Sequence, residues 1–167
     1  MPDPIKLLNE ELNQLARLFK QEGRMGGQLE QAAETEAEAI CDLVSIHTTL
    51  EEEVVYPALR TIDAEMVESA CSYGEKTKRL IKAARNCRGS GSPRAVVAVM
   101  KQLQGAVASH SRWEEDVLAP KLHELSINDY DQLGHDMYSR TQELLHQYPR
   151  AGGATVLTEG YSGSPKL

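Results

Sequence analysis

HTTLEEEVVYPAL at residues 47–59 and HSRWEEDVLAPKL at residues 110–122 are two versions of one pattern, H-x3-E-E-[ED]-V-[VL]-x-P-x-L. Residues four apart lie on one face of an α-helix about one turn apart, so each copy presents an imidazole and a carboxylate side by side. Each pair falls on the apolar stripe of its helix. Ile40, Val44, His47, Glu51, Val54 and Ala58 form the first stripe, and Met100, Leu103, Val107, His110, Glu114 and Val117 the second. The period therefore predicts two core-facing helices that each carry a His/Glu pair inward. Burying two carboxylates costs several kcal/mol unless they are paired or coordinated, and no Lys or Arg shares those stripe turns. A bound cation is the simplest explanation. A lone H-x3-E is an ordinary feature of helix surfaces, but two copies on separate apolar stripes with matched downstream prolines are not. Glu52, Glu53, Glu115 and Asp116 step round toward solvent, and Pro57 and Pro120 are expected to kink or end their helices.

The rest of the chain reads as helix around these two segments. Its 167 residues suit one domain with its own core, and an aromatic content of 5% with abundant Ala, Leu, Glu and Gln favours helices over strands. Asp3-Pro4 ahead of Ile5, Leu8, Leu12, Leu15 and Phe19 opens a first helix to about Glu22, which Gly23, Gly26 and Gly27 end. The second helix runs from Leu29 to about Arg60. Asp63 caps a third, with Val67, Ala70, Gly74 and Ile81 on one stripe, ending at Asn86 before Gly89-Ser90-Gly91-Ser92-Pro93. The fourth spans Pro93 to about Glu124, and Asn128-Asp129 opens a shorter fifth through Gln147. The expected architecture is an all-α, antiparallel up-down four-helix bundle with a short additional C-terminal helix. Residues 1–148 form the bundle and 149–167, rich in Gly, Ser and Thr, a flexible or surface-draped tail.

The net charge of −7 argues against nucleic acid or an anionic membrane surface as partner, since both call for a basic face. A metal ion or small molecule fits better. Cys41, Cys71 and Cys87 are odd in number and unpaired in spacing, as expected of reduced thiols. With no secretory leader pattern and no apolar run of membrane-spanning length, the expectation is a soluble, cytoplasmic protein, monomeric or a small homo-oligomer. His123, thirteen residues beyond His110, is about 20 Å further along a helix and cannot share its centre. His135 and His146 read as surface residues, and Trp113 as packing.

Taken together, these segments resemble the hemerythrin-like, or HHE cation-binding, family over roughly residues 3–147. DPIKLLNEEL is similar to its first helix, IHTTLEEEVVYPALR to its second, SYGEKTKRLI to its third and HSRWEEDVLAPKL to its fourth. The resemblance implies four helices around a non-heme di-iron centre ligated by a histidine from the first and third helices and an H-x3-E pair from the second and fourth. The second and fourth segments match at the ligands. The first and third carry Leu12 and Gly74 where histidines are expected, so this is a degenerate variant. His47, Glu51, His110 and Glu114 remain as metal ligands for one ion or two, with Glu51 and Glu114 also placed for catalysis and Leu12 and Gly74 lining the vacated space. Glu11, Cys71, Tyr73 and Glu75 lie near the vacated positions as replacement candidates. The expected function is iron binding with small-molecule redox chemistry on oxygen, peroxide, nitric oxide or a small organic substrate, with a lean toward an iron-dependent oxidoreductase, although the sequence does not separate enzyme, sensor and store. Heme held by His47, His110 or both in the opened pocket is the first alternative, and a metal-free regulatory or binding bundle the second.

Overall fold

Asp3 and Pro4 start the first helix as the sequence predicts: Asp3 Oδ1 accepts the Lys6 backbone N–H at 3.0 Å, and proline takes the first helical position. The computed structural model describes residues 1–25 and 30–154. Within it α1 spans Pro4–Met25, passing through Gly23, and the remaining glycines of the expected break lie outside the described residues. Helix α2 spans Glu30–Leu50 and continues through a π-helical stretch, Glu51–Val55, into α3, Tyr56–Leu59. Asp63 caps α4 (Ala64–Gly89) by accepting the Met66 N–H at 2.9 Å. That helix passes Asn86 and stops only at Gly89, because neither Cys87 nor Arg88 breaks a helix. Gly91 then takes the left-handed conformation, φ +68°, that turns the chain. Helix α5 (Pro93–Trp113) is likewise extended by a π-helical stretch, Glu114–Leu118, into α6 (Ala119–Leu122). Ser126, rather than Asn128 or Asp129, caps α7 (Ile127–Gln147) by accepting the Asp129 N–H.

The architecture is an all-α up-down bundle of α1, α2, α4 and α5, in which α4 packs along α5 and α1 along α2. Helix α7 lies against both α1 and α2 and is as long as α5. It buries Leu133, Met137 and Leu144. A methyl group at Gly134 would run into the Pro2 carbonyl, so glycine is what lets the N-terminal arm cross α7 so closely. The chain beyond Pro149 begins with one more short helix, α8 (Pro149–Ala154), which rests on α2 and buries Ala151. The remainder of the expected tail lies outside the described residues. Among the described residues no helix is long and apolar enough to cross a membrane.

The prolines of the repeat do not end their helices, which run on through α3 and α6. A proline has no N–H to donate, and its ring collides with the carbonyl four residues back. Here the helix widens instead, so that the N–H of Tyr56 reaches Glu51 O and that of Ala119 reaches Glu114 O, five residues back in each case. One extra residue is thereby accommodated per turn, and the buried stripe moves with it. After Glu51 the buried positions are Val55, Tyr56 and Leu59, while Val54 and Ala58 are only partly covered. After Glu114 they are Leu118 and Leu122, and not Val117. The expected stripes hold as far as the two glutamates and then shift by one. Leu118→Ala should therefore cost about 2–5 kcal/mol in chemical denaturation, and Val117→Ala well under half of that. The reverse order would mean that no residue is inserted there.

Candidate metal centre

Both H-x3-E pairs end at the point where their helices widen, and that is where they meet. His47 and Glu51 come from α2 and its π turn, His110 and Glu114 from α5 and its own. All four are buried, and one donor atom from each lies within 4.8 Å of the others. His110 Nε2 is 2.9 Å from both oxygens of Glu51 and 3.1 Å from Glu114 Oε1. His47 Nε2 is 3.0 Å from Glu114 Oε1 and 3.7 Å from Glu51 Oε2. Each histidine thus faces the glutamate of the other helix, and the two imidazoles stand edge to face, their centroids 5.6 Å apart.

The first and third helices also reach this cluster, through Glu11 and Tyr73, the neighbours of Leu12 and Gly74. Glu11 Oε2 lies 3.0 Å from His47 Nδ1, itself buried, while Leu12 packs in the hydrophobic core. That contact fixes which nitrogen of His47 faces the glutamates: Nδ1 is held by Glu11 and Nε2 is free for the centre, the arrangement by which carboxylates orient metal-binding imidazoles. On α4 the neighbour of Gly74, Tyr73, lies flat on His110, ring centroids 3.5 Å apart and planes 1° from parallel. Trp113 covers His110 at 5.4 Å. A Cβ at Gly74 would meet the Glu52 carboxylate and the Thr48 methyl, so glycine here lets α4 close on α2 and leaves room for Glu52. Glu75 is exposed and pairs with Lys78, and Cys71 is a half-buried free thiol. Glu52 and Glu53 turn outward to Lys78 and Arg140, Glu115 and Asp116 are exposed, and so are His123, His135 and His146.

One more residue of the cluster stands at a variable position of the repeat. Tyr56 is buried, and its hydroxyl lies beside the Glu51 carboxylate but outside hydrogen-bonding geometry. The second copy has Ala119 at that position, which makes the two halves chemically unequal.

Burial alone would disfavour a charged His47. The negative charges of Glu114 and Glu51, together with its hydrogen bonds to Glu11 and Glu114, nevertheless hold its pKa well above the ordinary histidine value. His110 is raised by the same glutamates against its own burial. For Glu114 the cost of burial is outweighed by the charge of His47 and the hydrogen bond from His110, which bring it down to about 2. Burial followed by the charge of Glu51 pushes the phenols of Tyr56 and Tyr73 up, so both stay neutral. Without a metal ion, then, the surrounding carboxylates favour the charged form of both imidazoles. Two nitrogen and two carboxylate donors suit a transition metal, and Glu114 Oε2, buried and without a hydrogen-bond partner, supplies a lone pair that an ion would use. The residues present fit such an ion.

No family model, curated protein or solved structure matches this chain. The centre accordingly rests on its own geometry.

That geometry sets a pH dependence for chelator-stripped protein. Raised histidine pKa values contribute stability that is complete below the unfolded value of 6.5 and lost as pH rises through the folded values. The depressed Glu114 value contributes stability present above 4.5 and lost as pH falls toward about 2. Stripped protein should therefore be most stable in thermal melts between 4.5 and 6.5 and weaken above that window. Metal-loaded protein should not weaken there, because protons compete with the ion for the same nitrogens. A stripped protein that grows more stable from about pH 6 to pH 8 would contradict the assignment of charged imidazoles.

Proposed function

We propose that His47, Glu51, His110 and Glu114 hold iron, as one ion or two, and that the protein uses it as an oxidoreductase acting on a small molecule: oxygen, peroxide, nitric oxide or a small organic substrate. The observation that carries this reading is the convergence of both H-x3-E pairs in a buried cluster of two imidazoles and two carboxylates. A mixed imidazole and carboxylate set without thiolate suits iron, and the likeness of the four segments to hemerythrin-like proteins points the same way. Bound iron supplies one-electron chemistry and open coordination positions for a small molecule.

The chain's own residues would divide the work as follows. His47 and His110 are the nitrogen donors, and the Glu11 carboxylate keeps Nε2 of His47 aimed at the centre. Glu51 and Glu114 chelate or bridge, and either, when released from the metal, is placed to accept a proton from a substrate. Leu12 and Gly74 stand where the hemerythrin-like pattern has its other two histidines, so coordination positions remain for substrate. Tyr73 and Trp113, stacked on His110, shield that side from water. Iron without a macrocycle is favoured over heme because the glutamates already lie against Nε2 of both histidines, the atoms a heme iron would take.

Metal analysis and the visible spectrum of freshly isolated protein test this directly. Iron should be present without a Soret band, and His47→Ala with His110→Ala should remove it. Glu11→Gln should weaken iron about 10- to 100-fold in chelator competition while leaving the ligands in place. A Soret band would replace this reading with heme. Iron retained in full by the double-alanine variant, or a wild type indifferent to metal, would leave a bundle that serves binding or regulation alone.

A further inference from the structure

Three of the six buried side-chain polar atoms without a hydrogen-bond partner among the described residues surround this one centre: Glu114 Oε2 and the hydroxyls of Tyr56 and Tyr73. Native proteins seldom leave such groups unsatisfied, and three around a single cluster call for an occupant that accepts electron pairs. Tyr56 is the best placed of the two phenols. Five residues along an ordinary helix would carry it about 140° away from Glu51. The π turn cancels that offset: the Tyr56 N–H bonds Glu51 O, so residue 56 sits one wide turn beyond Glu51 on the same face. Side chains on a helix lean back toward its N-terminus, which brings the Tyr56 phenol within electrostatic reach of both Glu51 and Glu114. Tyr73 instead lies flat on a ligand imidazole and remains partly exposed.

We propose that the Tyr56 oxygen is a further ligand of this centre, bound to ferric iron as phenolate beside Glu51. The inference rests on the iron reading above. On coordination the Tyr56 O–H bond breaks, an O–Fe bond forms and the proton leaves to water, with no change of oxidation state. Charge favours the arrangement. Among the direct donors Glu51, Glu114 and a Tyr56 phenolate carry three negative charges, which match one trivalent ion, while the Glu11 carboxylate stays outside them on the Nδ1–H of His47. Two neutral imidazoles and three anionic oxygens also bring the donor set from four to five. Ala119 in the second copy confines the phenolate to the side of Glu51.

The test is the colour of the protein loaded with Fe(II) and oxidised in air. Ferric phenolate gives a visible charge-transfer band, and excitation into it enhances tyrosinate ring modes in the Raman spectrum. Both should be present in wild type and in Tyr73→Phe, and absent in Tyr56→Phe with iron content unchanged. Iron bound without the band, or a band that persists in Tyr56→Phe or disappears in Tyr73→Phe, overturns the Tyr56 assignment and leaves the metal centre standing. Failure to bind iron at all takes both down. Should Tyr56→Phe not fold, the other two spectra still decide, since loss of the modes in Tyr73→Phe would show Tyr73 to be their source.

Discussion

Two carboxylates held in the middle of a helical bundle must be neutralised, and the rest of this structure is arranged around that requirement. Among the described residues no lysine or arginine pairs with Glu51 or Glu114; their partners are His47 and His110. An imidazole meets the need in two ways, as a cation when protonated or as a neutral ligand beside a metal ion. Every helix of the four-helix core contributes: α1 the carboxylate behind His47, α2 and α5 the repeated pairs, α4 the ring stacked on His110. The centre is thus also a tie between helices, and occupation of it bears on how tightly the bundle closes.

The same helix offers an internal comparison. Between one and three turns before His47, Glu38 and Asp42 are also buried on α2, and there arginines answer them: Arg85 Nη2 lies 2.9 Å from Asp42 Oδ1, and Arg88 pairs with Glu38. At this level of the bundle the acids are balanced by α4, whose long cationic side chains keep an exposed flank. Acids at its centre face histidines instead. A fixed cation at the second place would occupy the volume that a metal needs, which is a physical reason for the difference between the two acid pairs.

Much of this was legible in the sequence. The helix order, the aspartate caps at Asp3 and Asp63 and the inward H-x3-E pairs follow from periodicity and helix-end chemistry. The outer-helix contributions do not, because a one-residue choice of register is a rotation of only about 100°. On α1 that choice is blurred further. Helix α7 covers a second side of α1, so Leu7, Leu8, Glu11, Leu12, Gln14 and Leu15 are all buried and no narrow stripe singles out one of them. Glu11 is thereby as inward as Leu12. Tyr56 and the shifted stripes depend on the π turns, which a 3.6-residue period cannot show. The trace they leave is a strict spacing of four in His47-Glu51-Val55-Leu59 and His110-Glu114-Leu118-Leu122, which on a uniform helix would drift about 40° at each step.

The widened turns also limit where such a site can be rebuilt. Grafting H-x3-E onto a straight designed helix would reproduce the imidazole and the carboxylate, but everything after the glutamate would meet its neighbours out of phase. A faithful transplant needs one added residue and a downstream proline in each of two facing helices, so that both strands of the graft lengthen together. A deletion in only one of them would slide half of the bundle's lower packing against the other half. The inserted residue is therefore a matched pair of structural parts, and a protein engineer would have to move both or neither.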